Sequence, residues 1–235
     1  MGNASGGRFI VECVKSAVVF SGGPHPEVTA PSVFRASAAV DAAFVVAADS
    51  GLHLALACGR MPDLVIGDMD SVDQPLLDQA RQAGAEIRPF PADKDATDLE
   101  LALEAVMACE AHEIRNLTVI GSGSGRVDHL FGGLLLLAAE RFANMRIDAF
   151  FDSTYVAIVR DSWEFSAEPG QVLSVMALNG TACGIVSRGL RWTFGGEALE
   201  PGSTRGVSNE ILDSVAHISV ESGVVAVILN QEREP

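Results

Sequence analysis

Hydrophobic and polar positions follow two rhythms along this chain, and the rhythm changes near residue 150. In the first part, short apolar runs alternate with longer stretches in which apolar residues recur every three or four positions. Residues 17–20 (AVVF), 44–48 (FVVAA), 64–66 (LVI), 86–89 (EIRP) and 117–120 (LTVI) are each followed by a turn or helix signal, which predicts five strands. Residues 50–58, 75–83, 97–108 and 127–141 predict helices, the first two stopped by Gly59 and Gly84. In the third helix, Leu99, Ala102, Leu103 and Val106 share one face. Thr97-Asp98-Leu99-Glu100 fits the T-x-x-E capping box at its start. Strands alternating with helices in this way predict a parallel sheet covered by helices.

After about residue 155 the helical spacing disappears. Leu190, Trp192 and Phe194 alternate with Arg191 and Thr193, Ile218 and Val220 alternate with Ser219 and Glu221, and VVAVIL (224–229) follows a Ser222-Gly223 turn. This predicts a small antiparallel β unit, either a sandwich or an open barrel. The junction is expected within residues 152–161.

The residues directly after the predicted parallel strands are unusual. They are Ser21-Gly22-Gly23, Asp49-Ser50-Gly51, Gly67-Asp68-Met69-Asp70-Ser71, Asp93-Lys94-Asp95-Ala96-Thr97-Asp98, and the run Gly121-Ser122-Gly123-Ser124-Gly125-Arg126-Val127-Asp128-His129. In an open parallel sheet, ligands bind beyond the carboxyl ends of the strands. Acidic groups from four loops therefore collect on one rim, and such a cluster needs counter-charge. Lys94 and Arg126 supply some, and Mg²⁺ with its preference for carboxylate and phosphate oxygens would supply more. A polyphosphate could take contacts from Lys94, Arg126, the glycine-rich backbone and the positive end of the helix at Val127. The residues alone thus point to a Mg²⁺–nucleotide phosphotransfer site.

Each loop also has a plainer reading. Asp49-Ser50 can cap a helix, Asp68-Met69-Asp70 can be a solvated turn, Thr97 caps its helix in any case, and Asp98 suits the helix dipole. Gly121 to Gly125 completes neither G-x-G-x-x-G nor a P-loop. Arg126 resists a plain reading, because a cation beside a helix N-terminus is unfavourable unless an anion lies between them. His129 reads as structural or catalytic; His25, His53, His112 and His217 show no ligand spacing.

Composition narrows the classes. The chain has 235 residues with 48% apolar and 20% charged positions, enough for a sizeable core. Its 16 Lys+Arg stand against 31 Asp+Glu, a net charge of −15 that disfavours general nucleic-acid binding and anionic membranes. No apolar run reaches the length of a bilayer span, and no signal peptide is read, with residues 1–8 expected to be frayed. Cys13, Cys58, Cys109 and Cys183 form no C-x-x-C pair and are expected to be buried, reduced thiols of a cytoplasmic protein.

The rim residues also resemble the thiamine pyrophosphokinase (thiamine diphosphokinase) family. The matching pieces are Ala47-Ala48-Asp49-Ser50-Gly51, residues 62–71 (PDLVIGDMDS), Lys94-Asp95-Ala96-Thr97-Asp98 and Gly125-Arg126-Val127-Asp128-His129. Gly189-Leu190-Arg191-Trp192 and Gly206-Val207-Ser208-Asn209-Glu210 match later motifs, so order and spacing agree over about residues 16–230. Met69 stands where the family often has Phe, and Ser124-Gly125 where it often has two glycines. The resemblance implies an α/β fold: an N-terminal Rossmann-like parallel sheet with flanking helices, then a small C-terminal antiparallel β-sandwich, with domains over 15–153 and 160–235. It implies a homodimer with active sites near the interface, and Mg²⁺-dependent transfer of pyrophosphate from ATP to the hydroxyl of thiamine, giving thiamine diphosphate and AMP.

By motif match, Asp49, Asp68, Asp70 and Asp98 would hold Mg²⁺. Asp68, Asp70, Asp98 and Arg126 would be catalytic, with Asp70 the candidate proton acceptor. Gly22, Gly23, Asp49, Lys94, Thr97, Gly123, Arg126 and Asp128 would form the nucleotide end. Trp192, Ser208 and Asn209 would lie near thiamine, Trp192 offering a face to a cationic ring, although the alternation also reads it as an ordinary core residue. Two other functions remain open: a pyrophosphokinase for another hydroxylated heterocycle such as a hydroxymethylpterin, and a non-catalytic thiamine or nucleotide sensor.

Overall fold

The computed structural model describes residues 16–23, 44–109 and 114–230. Cys13, His25, His112 and residues 1–8 lie outside them. Fourteen strands and four α-helices are found among the described residues.

The parallel part is built from β1 (Ser16–Phe20), β2 (Phe44–Ala48), β3 (Leu64–Gly67), β4 (Glu86–Pro89), β5 (Asn116–Gly121) and β6 (Arg146–Phe151). They lie in the order β6-β5-β1-β2-β3-β4, every neighbouring pair parallel. The apolar runs form these strands because both sheet faces are covered, so β1, β2 and β3 carry almost no polar side chains. The covering helices are α1 (Gly51–Ala57), α2 (Gln74–Gln82), α3 (Asp98–Met107) and α4 (Val127–Leu137). Ala102, Leu103 and Val106 of α3 are buried, as their spacing requires. One core cluster joins them to Val19, Val46, Leu117 and the fully buried Phe142, whose truncation to Ala would cost roughly 3–5 kcal/mol.

The sheet does not stop where the sequence places the junction. Residues Thr154–Val159 form β7, which turns back antiparallel on β6 with Ala149 opposite Val156. Beyond β7 the same sheet continues antiparallel through β14 (Val225–Asn230), β9 (Val172–Ala177) and β12 (Asn209–Glu210), giving ten strands in all. A second, four-stranded sheet has the order β11 (Gly195–Leu199), β10 (Ala182–Arg188), β13 (Val215–Ser219) and β8 (Ser162–Ser166). Its inner face shares a core with the antiparallel half, including Val175, Ile185, Ile218 and Val227. The expected α/β fold with an antiparallel β-sandwich is therefore present.

Three local readings are corrected. First, α4 ends at Leu137 rather than 141, and a 3₁₀ turn over Glu140–Phe142 follows. Arg160 donates to Ala139 O at 2.9 Å and Asn179 Nδ2 to Leu135 O at 2.8 Å, so outside donors take carbonyls that a longer helix would use. Second, residues 190–194 are a loop with one bridge, Leu190 to Ile211, not a strand. Leu190 and Phe194 are buried, but Trp192 between them is 57% exposed. Third, Cys58 is buried as expected, while Cys109 is half-buried and Cys183 exposed.

Candidate active site

The loops beyond the carboxyl ends of the parallel strands converge on a cleft of about 1200 Å³. Its wall includes Gly22, Gly23, Asp49, Asp68, Asp70, Lys94, Thr97, Asp98, Arg126 and Asp128, so ten of the sequence-predicted residues are brought together. The parallel topology causes this, because every strand of this half points its carboxyl end the same way.

Carboxylate oxygens of Asp49, Asp68 and Asp70 lie within 4.8 Å of one another. Asp49 and Met69 hold left-handed backbone conformations, φ 47° and 63°, which turn the chain sharply after β2 and β3. Such strained residues concentrate at sites where geometry is over-determined by its surroundings. Asp49 does not cap α1: Ser50 holds that position without a side-chain cap bond, and Asp49 is only 8% exposed. Burial pushes the Asp49 carboxyl above its ordinary value, the Ser50 N–H opposes this, and the charges of Asp98, Asp68 and Asp70 push it further up. Its Oδ1 is buried without a hydrogen-bond partner. An orphaned carboxylate oxygen facing two more carboxylates is the donor set that a hard cation such as Mg²⁺ requires.

Lys94 is the internal counter-charge. Its Nζ donates to Asp68 Oδ2 at 3.3 Å and faces Asp98 Oδ1 at 3.1 Å as an ion pair without hydrogen-bond alignment. Burial alone would lower the Lys94 pKa, but Asp98 and Asp68 outweigh it and hold it above normal. The Asp70 N–H, donating to Asp68 Oδ1 at 3.2 Å, is the main force holding Asp68 below the usual carboxylate range; burial opposes it and Lys94 assists. Asp70 is exposed and takes the Ser71 hydroxyl at 2.8 Å. Thr97 does cap α3, its Oγ1 accepting the Glu100 N–H at 3.2 Å, while Glu100's carboxylate pairs with Arg141.

At the far side, Arg126 occupies the N-cap position of α4 without a cap bond and forks onto Asp128, Nη2 to Oδ2 at 2.6 Å and Nε to Oδ1 at 3.2 Å. The Arg126 hydrogen bond holds the Asp128 carboxyl down at about 2. Both side chains are exposed, so the guanidinium can be drawn toward an anion at little cost.

Four of the expected residues lie outside the cleft wall. Gly123, expected at the nucleotide end, donates its N–H to Asp152 Oδ2 at 2.9 Å. Trp192, Ser208 and Asn209 come together with each other but do not line the cleft. Asn209 is 3% exposed and works as a clip: its Oδ1 accepts the N–H groups of Trp192 (3.1 Å) and Glu210 (2.8 Å), and its Nδ2 donates to Trp192 O at 2.7 Å. Ser208 beside it holds φ 58° and donates its N–H to Ser174 Oγ at 3.1 Å. Arg191 lies over the Trp192 ring at 5.6 Å and pairs with Glu210, steadying the indole.

The sequence reading also missed His53. It lines the cleft, and its Nε2 accepts the Asp73 N–H at 3.1 Å, bracing the loop after β3. Its place in the first turn of α1, directly after the acidic loop that carries Asp49, is the signal that could have found it.

Comparison with known proteins gives a consistent picture. The family model "Thiamin pyrophosphokinase, catalytic domain" matches residues 36–149, and "Thiamin pyrophosphokinase, vitamin B1 binding domain" matches residues 164–225, together well over half of the chain. Thiamine pyrophosphokinase 1 of Oryza sativa subsp. japonica is 27% identical over 172 residues, covering 70% of this chain and 64% of that protein. Thiamine pyrophosphokinase of Bacillus subtilis is 24% identical over 186 residues, covering 78% and 85%. The chain thus spans less than two thirds of the rice relative. Among solved structures, Bacillus subtilis thiamine pyrophosphokinase superposes with a TM-score of 0.78 at 20% identity, over 93% of this chain and all of that one. The yeast enzyme superposes with 0.70 at 12% identity, over 93% and 86%.

Proposed function

We propose that this chain, which belongs to the thiamin pyrophosphokinase family, transfers pyrophosphate from ATP to the hydroxyl of thiamine, giving thiamine diphosphate and AMP. The observation that carries this is the convergence of the Asp49, Asp68 and Asp70 carboxylates at the ends of parallel strands, with Lys94 paired to Asp68. The orphaned Asp49 oxygen and its two neighbours fit Mg²⁺, which when bound would neutralise phosphate charge on the attacking and leaving sides.

The chain's own groups supply the rest. Lys94, with Asp98 and Asp68 holding its proton, offers a fixed cation to the phosphates. Arg126 leaves its exposed fork on Asp128 to take phosphate oxygens bidentately. The thiamine hydroxyl oxygen attacks the β-phosphorus, the bond from that phosphorus to the α,β-bridging oxygen breaks, and AMP leaves with the electron pair. The hydroxyl proton passes to a carboxylate. Asp70 is the acceptor we assign: Asp49 is buried and Asp68 is held by Lys94, whereas Asp70 is exposed at the cleft mouth. General-base help of this kind is typically worth about 10²–10⁴-fold.

Trp192, Ser208 and Asn209 form the thiamine-facing surface of this reading. Their separation from the cleft, together with the exposed Val127 and Phe131 on α4, supports a homodimer in which the Trp192 loop of a second copy closes each cleft. Consumption of ATP and three free cysteines among the described residues support a cytoplasmic setting, and no helix among those residues is long and apolar enough to cross a membrane.

Nucleotide analysis after incubation with ATP, Mg²⁺ and thiamine tests the proposal. Thiamine-dependent AMP without ADP is expected. ADP would mean γ-phosphoryl transfer. Turnover with hydroxymethylpterin and not thiamine would move the acceptor, and tight binding without any turnover would make the protein a sensor.

A further inference from the structure

The turn between β6 and β7 carries a carboxylate that the proposed reaction does not use. Asp152 holds φ 52°, a left-handed conformation that Asp and Asn tolerate better than other side chains. From there it grips the loop that runs from β5 into α4. Its Oδ2 accepts the Gly123 N–H at 2.9 Å, and its own N–H donates to Gly121 O at 3.2 Å. A Cβ on Gly123 would stand 3.1 Å from that same Oδ2 and 3.4 Å from Phe151 O, so the glycine makes room for the carboxylate. The loop is further ordered by the Ser122 and Ser124 hydroxyls, 2.8 Å apart, and by the Ser124 N–H on Ser122 Oγ at 3.1 Å. Two residues later comes Arg126.

The other end of the same helix is held from the same strand. Arg160, which directly follows β7, donates to Ala139 O at 2.9 Å, just past the end of α4. Asp152 before β7 and Arg160 after it therefore grip the loop that leads into α4 and the turn that leaves it.

We propose that Asp152 is a positioning residue for nucleotide binding: by holding the Gly123 N–H it fixes the loop over residues 121–126, and with it the aim of Arg126 and the first turn of α4 at the cleft. This rests on the reading of the cleft as a nucleotide site. Stability alone does not account for the residue. Asp152 Oδ1 is buried without a hydrogen-bond partner, an arrangement that costs free energy. Asparagine would keep the acceptor and the backbone conformation while removing the charge. Glycine would keep the conformation and lose the acceptor. The pair of variants separates the role of the hydrogen bond from that of the fold.

The test is calorimetric titration of Mg·ATP into the full chain as wild type, Asp152→Gly and Asp152→Asn, with melting curves and the KM values for ATP and thiamine. Asp152→Gly is expected to weaken ATP binding about tenfold and to leave the thiamine KM within about twofold, because a loosened loop misaims the phosphate contacts alone. Asp152→Asn is expected to bind ATP within about twofold of wild type. Wild type that binds ATP beside an equally tight Asp152→Gly overturns the positioning role and leaves the nucleotide reading intact. A fall in both substrates' affinities that tracks a fallen melting temperature also overturns it, since the residue is then merely structural. Wild type that does not bind ATP at all overturns the nucleotide reading and this inference with it.

Discussion

A Cβ on Gly67 would lie 2.9 Å from Asp98 Oδ1, so the end of β3 and the first residue of α3 meet across a gap that only a hydrogen fills. The same Cβ would stand 3.0 Å from that of Asp49, and Gly67 holds φ 146°. Close approach of carboxylates on two different elements thus depends on one glycine. Gly67→Ala is expected to lose about 1–3 kcal/mol of stability from the backbone alone. It is also expected to lower turnover by about 10²-fold, because the rim is pushed apart. Melting curves and initial rates check this; a Gly67→Ala protein with wild-type turnover would show that the rim does not need the contact.

Asp49→Asn is expected to exchange activity for stability. Burial, joined by the neighbouring carboxylates, raises the Asp49 pKa above its ordinary 3.8. A raised carboxyl pKa means that the ionised form destabilises the fold above that pKa and costs nothing below the unfolded value. At neutral pH without divalent cation the variant should therefore melt higher, by about 2–4 °C for each kcal/mol relieved. The gain should vanish as pH falls through the acid range. Added Mg²⁺ should raise the wild-type melting temperature and move the variant little. A variant that melts lower than wild type at pH 7 sinks the account.

Lys94→Met removes the cation between Asp68 and Asp98. We expect kcat/KM to fall by about 10²–10³-fold, the usual effect of losing one preorganised charge contact. Asp68 is held below its ordinary pKa in the fold, so its stabilising contribution is present above the unfolded value of 3.8 and lost as pH falls through the lowered one. Lys94 is held above 10.5, so its contribution is lost only in strong base. The trio should stay intact across the neutral range, and the variant's stability should become more dependent on Mg²⁺. Insensitivity of the variant's melting to Mg²⁺ counts against this.

Asn209 and Trp192 should fail differently. Asn209→Ala leaves two N–H groups and a carbonyl without their partner and is expected to cost about 1–3 kcal/mol. Trp192→Ala at a 57% exposed position should cost little stability. Both should raise the KM for thiamine and leave that for ATP unchanged. A raised ATP KM in either would place the loop at the other substrate.

If the cleft of one copy is completed by the loop of another, two impaired variants can rescue each other. Asp70→Asn and Trp192→Ala chains, unfolded together, refolded at equal amounts and assayed at thiamine far below the KM of Trp192→Ala, should recover about a quarter of wild-type activity, since half of the dimers are mixed and each holds one intact site. No recovery, with mixed dimers present, argues for a site within one chain.

The legible and the illegible parts of this molecule differ in the range of the interactions that set them. Strands β1, β2, β3 and β5 stand out because both faces are buried and each apolar run ends at a turn. The rim follows from them, since parallel strands must deliver their loops to one side. Thr97 is readable because its partner is three residues away. The hairpin of β6 and β7 was hidden because Asp148 interrupts the apolar run; it is tolerated there by the Tyr155 hydroxyl at 2.7 Å, and its carboxyl is raised by burial. The end of α4 was hidden because LLLLAA continues the helical pattern, while the groups that end it, Arg160 and Asn179, lie more than twenty residues on. The segment 190–194 reads as a strand and is a loop, because alternation implies a strand only where a neighbour completes the ladder. Here Asn209 takes the Trp192 N–H, and Phe194 donates to Ser187 Oγ at 2.9 Å.

The ten-stranded sheet has a mechanical consequence. Because β6 pairs with both β5 and β7, backbone hydrogen bonds run without a break from the acidic rim's half into the sandwich half. Two lobes joined by a flexible tether can swing shut on a ligand; two halves of one ladder cannot rotate without tearing it. The sheet is thus a stiff beam that should melt in one cooperative step and keep its width during turnover. Any closing over bound substrates falls to parts that hang from the beam, chiefly the Arg126 side chain and the loops around Asp70 and Trp192.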